Sequence, residues 1–168
     1  IPEDLFELIK PILMPPLGSE LGEAILMPGE LYDYQRYGVK WLMEEPGRLL
    51  ADDMGLGKTA QAITAFRALV RRGAAPNALV VCPTSLVENW RKEFERWAPE
   101  LRVFLMQGSK QERGVAWPVI RRAYHVVITS YERLSNDINL LAPQTTNHPY
   151  SGVTLDEVQD VKKPGSAR

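Results

Sequence analysis

The sequence predicts an α/β domain: a parallel sheet of apolar strands with helices on both faces. Three observations predict it. Short apolar runs at Arg48–Ala51, Ala78–Cys82, Leu101–Met106, His125–Thr129 and Gly152–Leu155 alternate with segments of helical period, the pattern of strand–helix–strand units. The runs at Ala78–Cys82 and His125–Thr129 are nearly continuous in apolar residues, as strands covered on both sides should be. The first run leads into a glycine-rich turn that ends in Gly57-Lys58-Thr59, and a helical pattern follows at once.

The elements follow in order. Residues 1–30 hold Pro2, Pro11, Pro15, Pro16 and Pro28 and read as a lead-in segment, or as a linker from an upstream domain, before a main domain over 31–168. Leu31 to Met43 reads as a helix with Leu31, Tyr34, Gly38, Trp41 and Leu42 on one stripe, stopped by Pro46-Gly47. Arg48–Ala51 is expected to be the first buried strand. Thr59 to Arg72 reads as a helix with Ile63, Phe66 and Val70 at core spacing and Gly73 as its cap. Ala78–Cys82 is the second strand.

Ser85 and Glu88 have the spacing of a capping box. The helix after them carries Leu86, Trp90, Phe94 and Trp97 as core positions and ends before Pro99. Leu101–Met106 is the third strand. Lys110 to Tyr124 reads as helical but broken at Pro118, and His125–Thr129 as the fourth strand. Tyr131 to Leu141 reads as a helix, Pro143 to Ser151 as a polar loop, and Gly152–Leu155 as the fifth strand before a polar, basic tail.

With 168 residues, 45% hydrophobic and 24% charged, the composition is that of an ordinary globular domain. Such a chain can bury roughly 70% of the surface of its unfolded form. The net charge of −1 announces no nucleic-acid partner, so binding of that kind must come from local patches. A single cysteine, Cys82, excludes an internal disulfide and a cysteine-based zinc site; it reads as a small buried hydrophobe. His125 and His148 form no ligand cluster. No apolar run approaches the ~20 residues of a membrane span, so no membrane partner is expected, and a cytoplasmic location follows.

The glycine-rich turn carries the chemistry. Unpaired N–H groups at a helix N-terminus, at the positive end of its dipole, can wrap a polyphosphate. Gly55 and Gly57 let the backbone approach without a Cβ in the way. Lys58 would reach the terminal phosphates and the Thr59 hydroxyl would hold Mg²⁺. The general pattern asks for Gly where Asp52 stands. Asp156-Glu157 closes the last apolar run, where a phosphate-loop enzyme needs carboxylates for Mg²⁺ and for the attacking water. Ligands of parallel sheets sit at the carboxyl ends of the strands. Gly55–Thr59, Cys82–Ser85, Thr129–Tyr131 and Asp156–Gln159 all fall at such ends.

Taken together, these segments resemble the Swi/Snf family of ATP-dependent DNA translocases within helicase superfamily two, from about Leu31 onward. The residues are Tyr34-Gln35 with Gly38-Val39 and Trp41-Leu42; Asp52-Asp53-Met54-Gly55-Leu56-Gly57-Lys58-Thr59; Cys82-Pro83-Thr84-Ser85-Leu86 with Asn89-Trp90; Ile128-Thr129-Ser130-Tyr131-Glu132; and Asp156-Glu157-Val158-Gln159 with Lys163-Pro164. The resemblance implies a first RecA-like, ATP-binding lobe. Gln35 would read the adenine edge. Asp53, Met54, Gly55, Leu56, Gly57, Lys58 and Thr59 would hold the phosphates. Lys58, Asp156 and Glu157 would be catalytic, with Thr59 and Asp156 positioning magnesium and Glu157 orienting water. Gln159 would couple the nucleotide site to the DNA site. Pro83, Thr84, Ser85, Thr129, Ser130 and Tyr131 would touch the backbone of double-stranded DNA, which suits a motor because backbone contacts ignore sequence.

The family's motor has two lobes and hydrolyses ATP between them. This chain ends before the last strand of the first lobe, so a second lobe in cis in a longer parent protein is implied, with a DNA-bound protein as a possible target. The chain alone is expected to bind Mg-ATP weakly and hydrolyse it poorly, since arginine fingers from a second lobe are worth on the order of 10³–10⁵ in rate. The place of action would be the nucleoid-bearing cytoplasm of a bacterium or the nucleus of a eukaryote. Two alternatives stand beside this reading: a non-catalytic partner-binding module derived from such a lobe, and another P-loop enzyme. A GTPase would want Asn-Lys-x-Asp, which the sequence lacks. Arg91, Lys92 and Arg96, interleaved with Glu88, Glu93 and Glu95, read as a solvated helix face. Arg121-Arg122 and Lys162-Lys163 are further basic pairs.

Overall fold

The computed structural model of the chain describes residues 30–45, 47–51, 55–145 and 150–158. The described elements are α1 (Asp33–Glu44), α2 (Lys58–Arg71), β1 (Ala78–Cys82), a 3-10 turn (Thr84–Leu86), α3 (Val87–Trp97), β2 (Val103–Leu105), α4 (Lys110–Ala123), β3 (Val126–Ser130), α5 (Tyr131–Thr145) and β4 (Gly152–Leu155). They fall into two compact units. One lies within Ile1–Pro76 plus Glu93–Leu101, the other within Asn77–Lys92 plus Arg102–Arg168.

The second unit holds the sheet. Its strands run in the order β2-β3-β1-β4, all parallel, with Ala78 opposite both Val126 and Gly152 and Cys82 opposite Ser130. Every residue of β1 and β3 is buried, so both faces of these strands are covered, as their continuous apolar sequences require. Leu79, Val81 and Val127 point to one face. There they join Met106, Trp117 and Ile120 of the following segment and Leu141 of α5 in one apolar cluster. The parallel α/β fold expected from the alternation is present.

Inside that cluster lies a polar pin between α4 and α5. Arg113 donates from Nε and Nη2 to the two carboxylate oxygens of Asp137 at 2.6 and 2.8 Å. Its Nη1 donates to the Gly108 carbonyl at 2.6 Å, and the Trp117 indole N–H donates to Asp137 at 3.0 Å. Buried ions need such complete pairing.

The first unit packs α1 against α2. The two helices approach closely at Gly38, where a Cβ would stand 1.8 Å from Gln61 Oε1. Arg67, buried on α2, forms a two-pronged pair with Glu100.

The structure corrects several expectations. Arg48–Ala51 is irregular and joins no ladder among the described residues; Leu49 is 73% exposed. Arg48 instead folds back on α1, its guanidinium 3.8 Å over the Trp41 ring and 3.3 Å from Glu45. A strand needs a neighbour to hold its backbone, and an apolar run alone does not supply one. The buried face of α1 is Gln35, Gly38 and Val39, with Tyr34 exposed.

Pro118 does not break α4, which runs unbroken through it. The residue four back is Gly114, the backbone best able to yield to the ring, and Trp117 and Ile120 anchor the helix on either side. α5 continues past Leu141 to Thr145. The box expected at Ser85 and Glu88 is replaced by a 3-10 turn, and Glu88 pairs with Arg91 at 2.6 Å. A capping box does form at Ser109 and Glu112. Arg121, of the basic pair Arg121-Arg122, is buried. The expected lead-in over residues 1–30 lies outside the described residues apart from Glu30.

Candidate functional site

Two groups of predicted site residues are described, one in each unit. In the first unit, Gly55 and Gly57 adopt left-handed backbone, φ 84° and 75°, which only glycine takes at no cost. Gly57 caps α2, whose first residue is Lys58 and second is Thr59. Both side chains are half-buried. The turn is pinned from α1: the Gln35 side-chain amide donates to the Leu56 carbonyl at 3.1 Å and accepts from the Tyr32 N–H at 3.0 Å. Gln61 and the Tyr34 hydroxyl reach the same carbonyl at 3.4 Å. Gln35 thus faces the loop with both polar atoms engaged by backbone. Asp53 and Met54 lie outside the described residues.

This half fits a polyphosphate. Two glycines in left-handed conformation open onto the first turn of α2, whose leading amides have no partner within the helix. A Cβ built on Gly55 meets nothing within 4 Å, so the loop's outer side is open.

In the second unit, the carboxyl edge of the sheet gathers Pro83–Ser85, Thr129–Tyr131 and Asp156–Glu157. The Asp156 N–H donates to the Val81 carbonyl at 2.9 Å, which carries the β1–β4 ladder one residue past its strand. The Tyr131 hydroxyl donates to the Asp156 carbonyl at 2.8 Å. The Trp90 indole N–H donates to Asp156 Oδ2 at 2.7 Å. Glu157 then sits at φ 51°, an uncommon conformation for a residue with a Cβ and one that turns the chain sharply at the acidic pair.

The Asp156 carboxylate fits a hard cation. It is half-buried at a strand end, one oxygen is fixed by the indole, and Oδ1 takes no hydrogen bond from any described residue. Its charge is felt nearby. Burial, then Asp156, push the Tyr131 hydroxyl above its ordinary range. Burial with Asp156 behind it pushes the Cys82 thiol up to about 12.

The residues read as DNA contacts separate. Thr84 and Ser85 are exposed on the 3-10 turn and Pro83 is half-buried. Thr129 and Ser130 are enclosed in β3, and the Tyr131 hydroxyl is occupied by Asp156. Gln159 lies outside the described residues. Sequence reasoning placed Trp90 in the core and missed its polar end. The available sign was the residue type: a buried indole N–H must find an acceptor.

Residues 34–168 match the SNF2-related domain family. A relative in Danio rerio, "DNA excision repair protein ERCC-6-like", is 39% identical over 140 residues, covering 79% of this chain and 10% of that protein. "Putative ATP-dependent helicase/translocase YwqA" of Bacillus subtilis is 37% identical over 139 residues, 80% of this chain and 15% of that protein. Among solved structures, the Sulfolobus solfataricus SWI2/SNF2 ATPase core in complex with double-stranded DNA matches with a TM-score of 0.70 and 29% identity. That match covers 87% of this chain and 30% of that one. The chain thus spans a small part of the length of these relatives.

Proposed function

This chain belongs to the SNF2-related domain family, and from that premise we propose that it is the ATP-binding lobe of a DNA-dependent ATPase that moves on double-stranded DNA or remodels protein–DNA complexes. The observation that carries the reading is Asp156, held at its amide, carbonyl and carboxylate by three separate segments. A surface Asp-Glu pair needs no such fixing, whereas a metal-positioning carboxylate does.

Lys58 meets the terminal phosphates while the amides of the Gly55–Thr59 turn wrap them. The Thr59 hydroxyl and the Asp156 carboxylate would hold magnesium, Asp156 partly through water. Magnesium, when bound, neutralises the charge that develops on the phosphates. Glu157 accepts a hydrogen bond from the attacking water and orients it. Gln35 acts on the nucleotide from α1. The exposed Thr84 and Ser85, with Pro83, contact phosphates of the duplex; DNA as the partner is supported by the relative from Sulfolobus solfataricus, whose structure is a complex with double-stranded DNA.

Full turnover requires a second lobe, so this chain alone binds Mg-ATP weakly and hydrolyses it poorly. The test is a titration with a fluorescent ATP analogue and Mg²⁺, with Lys58→Ala beside it. Binding is expected in the parent chain and lost in the variant. Equal binding by both would sink the loop reading, and rapid turnover by this chain alone would sink the second-lobe requirement.

A further inference from the structure

We propose that Trp90 is a positioning residue for Asp156: its indole N–H fixes which carboxylate oxygen remains open to magnesium, and it ties that acid to the turn at Thr84–Leu86. The proposal rests on the reading of Asp156 as the magnesium-positioning residue.

Packing alone does not account for Trp90. It is 2% exposed, so its apolar ring is fully used, but a phenylalanine or leucine would serve that purpose. What tryptophan adds is one N–H donor and no acceptor. That donor stands 2.7 Å from Asp156 Oδ2, inside the range of a strong bond to a charged oxygen. With the carbonyl taken by Tyr131 and the amide by Val81, the residue's backbone cannot turn. With Oδ2 taken by the indole, its side chain cannot turn either. Oδ1 is left as the oxygen with no donor among the described residues.

The second part follows from where Trp90 is carried. It stands on α3, three residues after Val87, and α3 continues directly from the Thr84–Leu86 turn. Leu86 N–H closes that turn on the Pro83 carbonyl at 2.9 Å. A helix is stiff over so short a span, so a displacement of the exposed Thr84 and Ser85 moves the indole donor with it. A donor that moves by a fraction of an ångström changes the setting of a carboxylate that, among the described residues, receives no other side-chain hydrogen bond. The turn that faces a ligand and the acid that faces the metal therefore share one lever, and the lever ends in an indole N–H.

The test uses Trp90→Phe, which keeps a large ring and deletes the N–H. Two readouts are taken on the full chain. The first is the set of indole N–H resonances of its four tryptophans. The Trp90 signal is the one lost in Trp90→Phe, and the other three at parent positions show that the variant folds. Asp156→Asn is expected to shift the Trp90 signal. A Trp90 signal unmoved by Asp156→Asn would overturn the bond whatever the chain binds.

The second readout is the Mg²⁺ concentration needed to bind a fluorescent ATP analogue, beside binding of the same analogue in EDTA. Trp90→Phe is expected to raise the Mg²⁺ requirement on the order of tenfold and to leave binding in EDTA unchanged. An unchanged Mg²⁺ requirement would overturn the positioning role, and equal loss in both conditions would reduce Trp90 to packing. If the parent chain shows no Mg²⁺ dependence, the magnesium reading of Asp156 fails and takes the role with it, while the resonance shift still decides whether the pair exists.

Discussion

Gln35 of α1 reaches across to the phosphate-loop turn, its side-chain amide donating to the Leu56 carbonyl at 3.1 Å. Its own oxygen is held by the Tyr32 N–H, so the amide bridges two backbone segments and sets the turn against the helix. Gln35→Ala removes a part-buried bond worth about 0.5–1.5 kcal/mol, hence about two- to tenfold in affinity for anything the turn binds. The loss should fall on inorganic triphosphate as well as on ATP, measured by competition with a fluorescent analogue. Loss confined to ATP would assign Gln35 to the adenine edge instead.

Gly57 carries two constraints at once. Its φ of 75° is left-handed, costing about 1–2 kcal/mol for any residue with a Cβ. A Cβ there would also stand 2.5 Å from Gln35 Nε2. Gly57→Ala should therefore abolish nucleotide binding while lowering stability by about 1–2 kcal/mol or somewhat more. Gly55→Ala, with open space around its Cβ, should cost only the backbone strain. Urea denaturation of both variants separates the two effects.

The Arg113–Asp137 pair should dominate the stability of the sheet unit. Asp137→Ala strands the Arg113 charge and the Trp117 N–H in a buried setting, and breaking such a pair costs about 3–5 kcal/mol. A double change, Arg113→Met with Asp137→Leu, removes both charges and should cost clearly less than Asp137→Ala alone. Denaturation midpoints give the ranking, and an equal loss in both would refute the charge-stranding account.

The same pair sets an acid limit. Burial opposes the charge on Asp137, but hydrogen bonds from Arg113 and Trp117 outweigh it and hold the carboxyl below its ordinary value. A depressed folded-state pKa adds stability above the unfolded value, about 3.9 for Asp, and that stability is lost as pH falls below it. The urea midpoint should drop more steeply below about pH 4 in the parent chain than in the Arg113→Met, Asp137→Leu chain. Parallel curves would show that Asp137 contributes nothing to the acid transition.

Cys82 should be chemically silent in the folded chain. It is fully buried at the end of β1, and burial pushes its thiol up to about 12. Since the thiolate is the reactive form, Ellman's reagent at neutral pH should titrate one thiol in denaturant and none without it. Rapid reaction of the folded chain would refute this placement.

Much of this was legible from residues. The runs Ala78–Cys82 and Gly152–Leu155 are strands with the same bounds, the first because its sequence is continuously apolar and both because turn residues flank them. Gly57-Lys58-Thr59 opens a helix as its glycine and spacing required. What was not legible depended on partners. Arg48–Ala51 has strand-like residues but no described neighbour to pair with. Pro118 was read as a break because its cost is local, whereas the packing of Trp117 that outweighs it is not. Trp90 was read as core from its helical spacing, and Tyr131 as a DNA-backbone contact from the resemblance. Their polar ends meet Asp156, a residue distant in sequence, so no local pattern records the bond.

β4 ends the sheet, paired only with β1 among the described residues. Val153 and Leu155 on it are 56% and 52% exposed. Among the described residues one row of its N–H and C=O groups pairs with no strand, and such a row beside an apolar face is a template onto which another extended segment can add. Whatever segment fills that row, in this chain or another, competes with self-pairing. Self-association at high concentration is therefore expected to respond to β4, and Val153→Lys, which places a charge on that strand, is expected to reduce it.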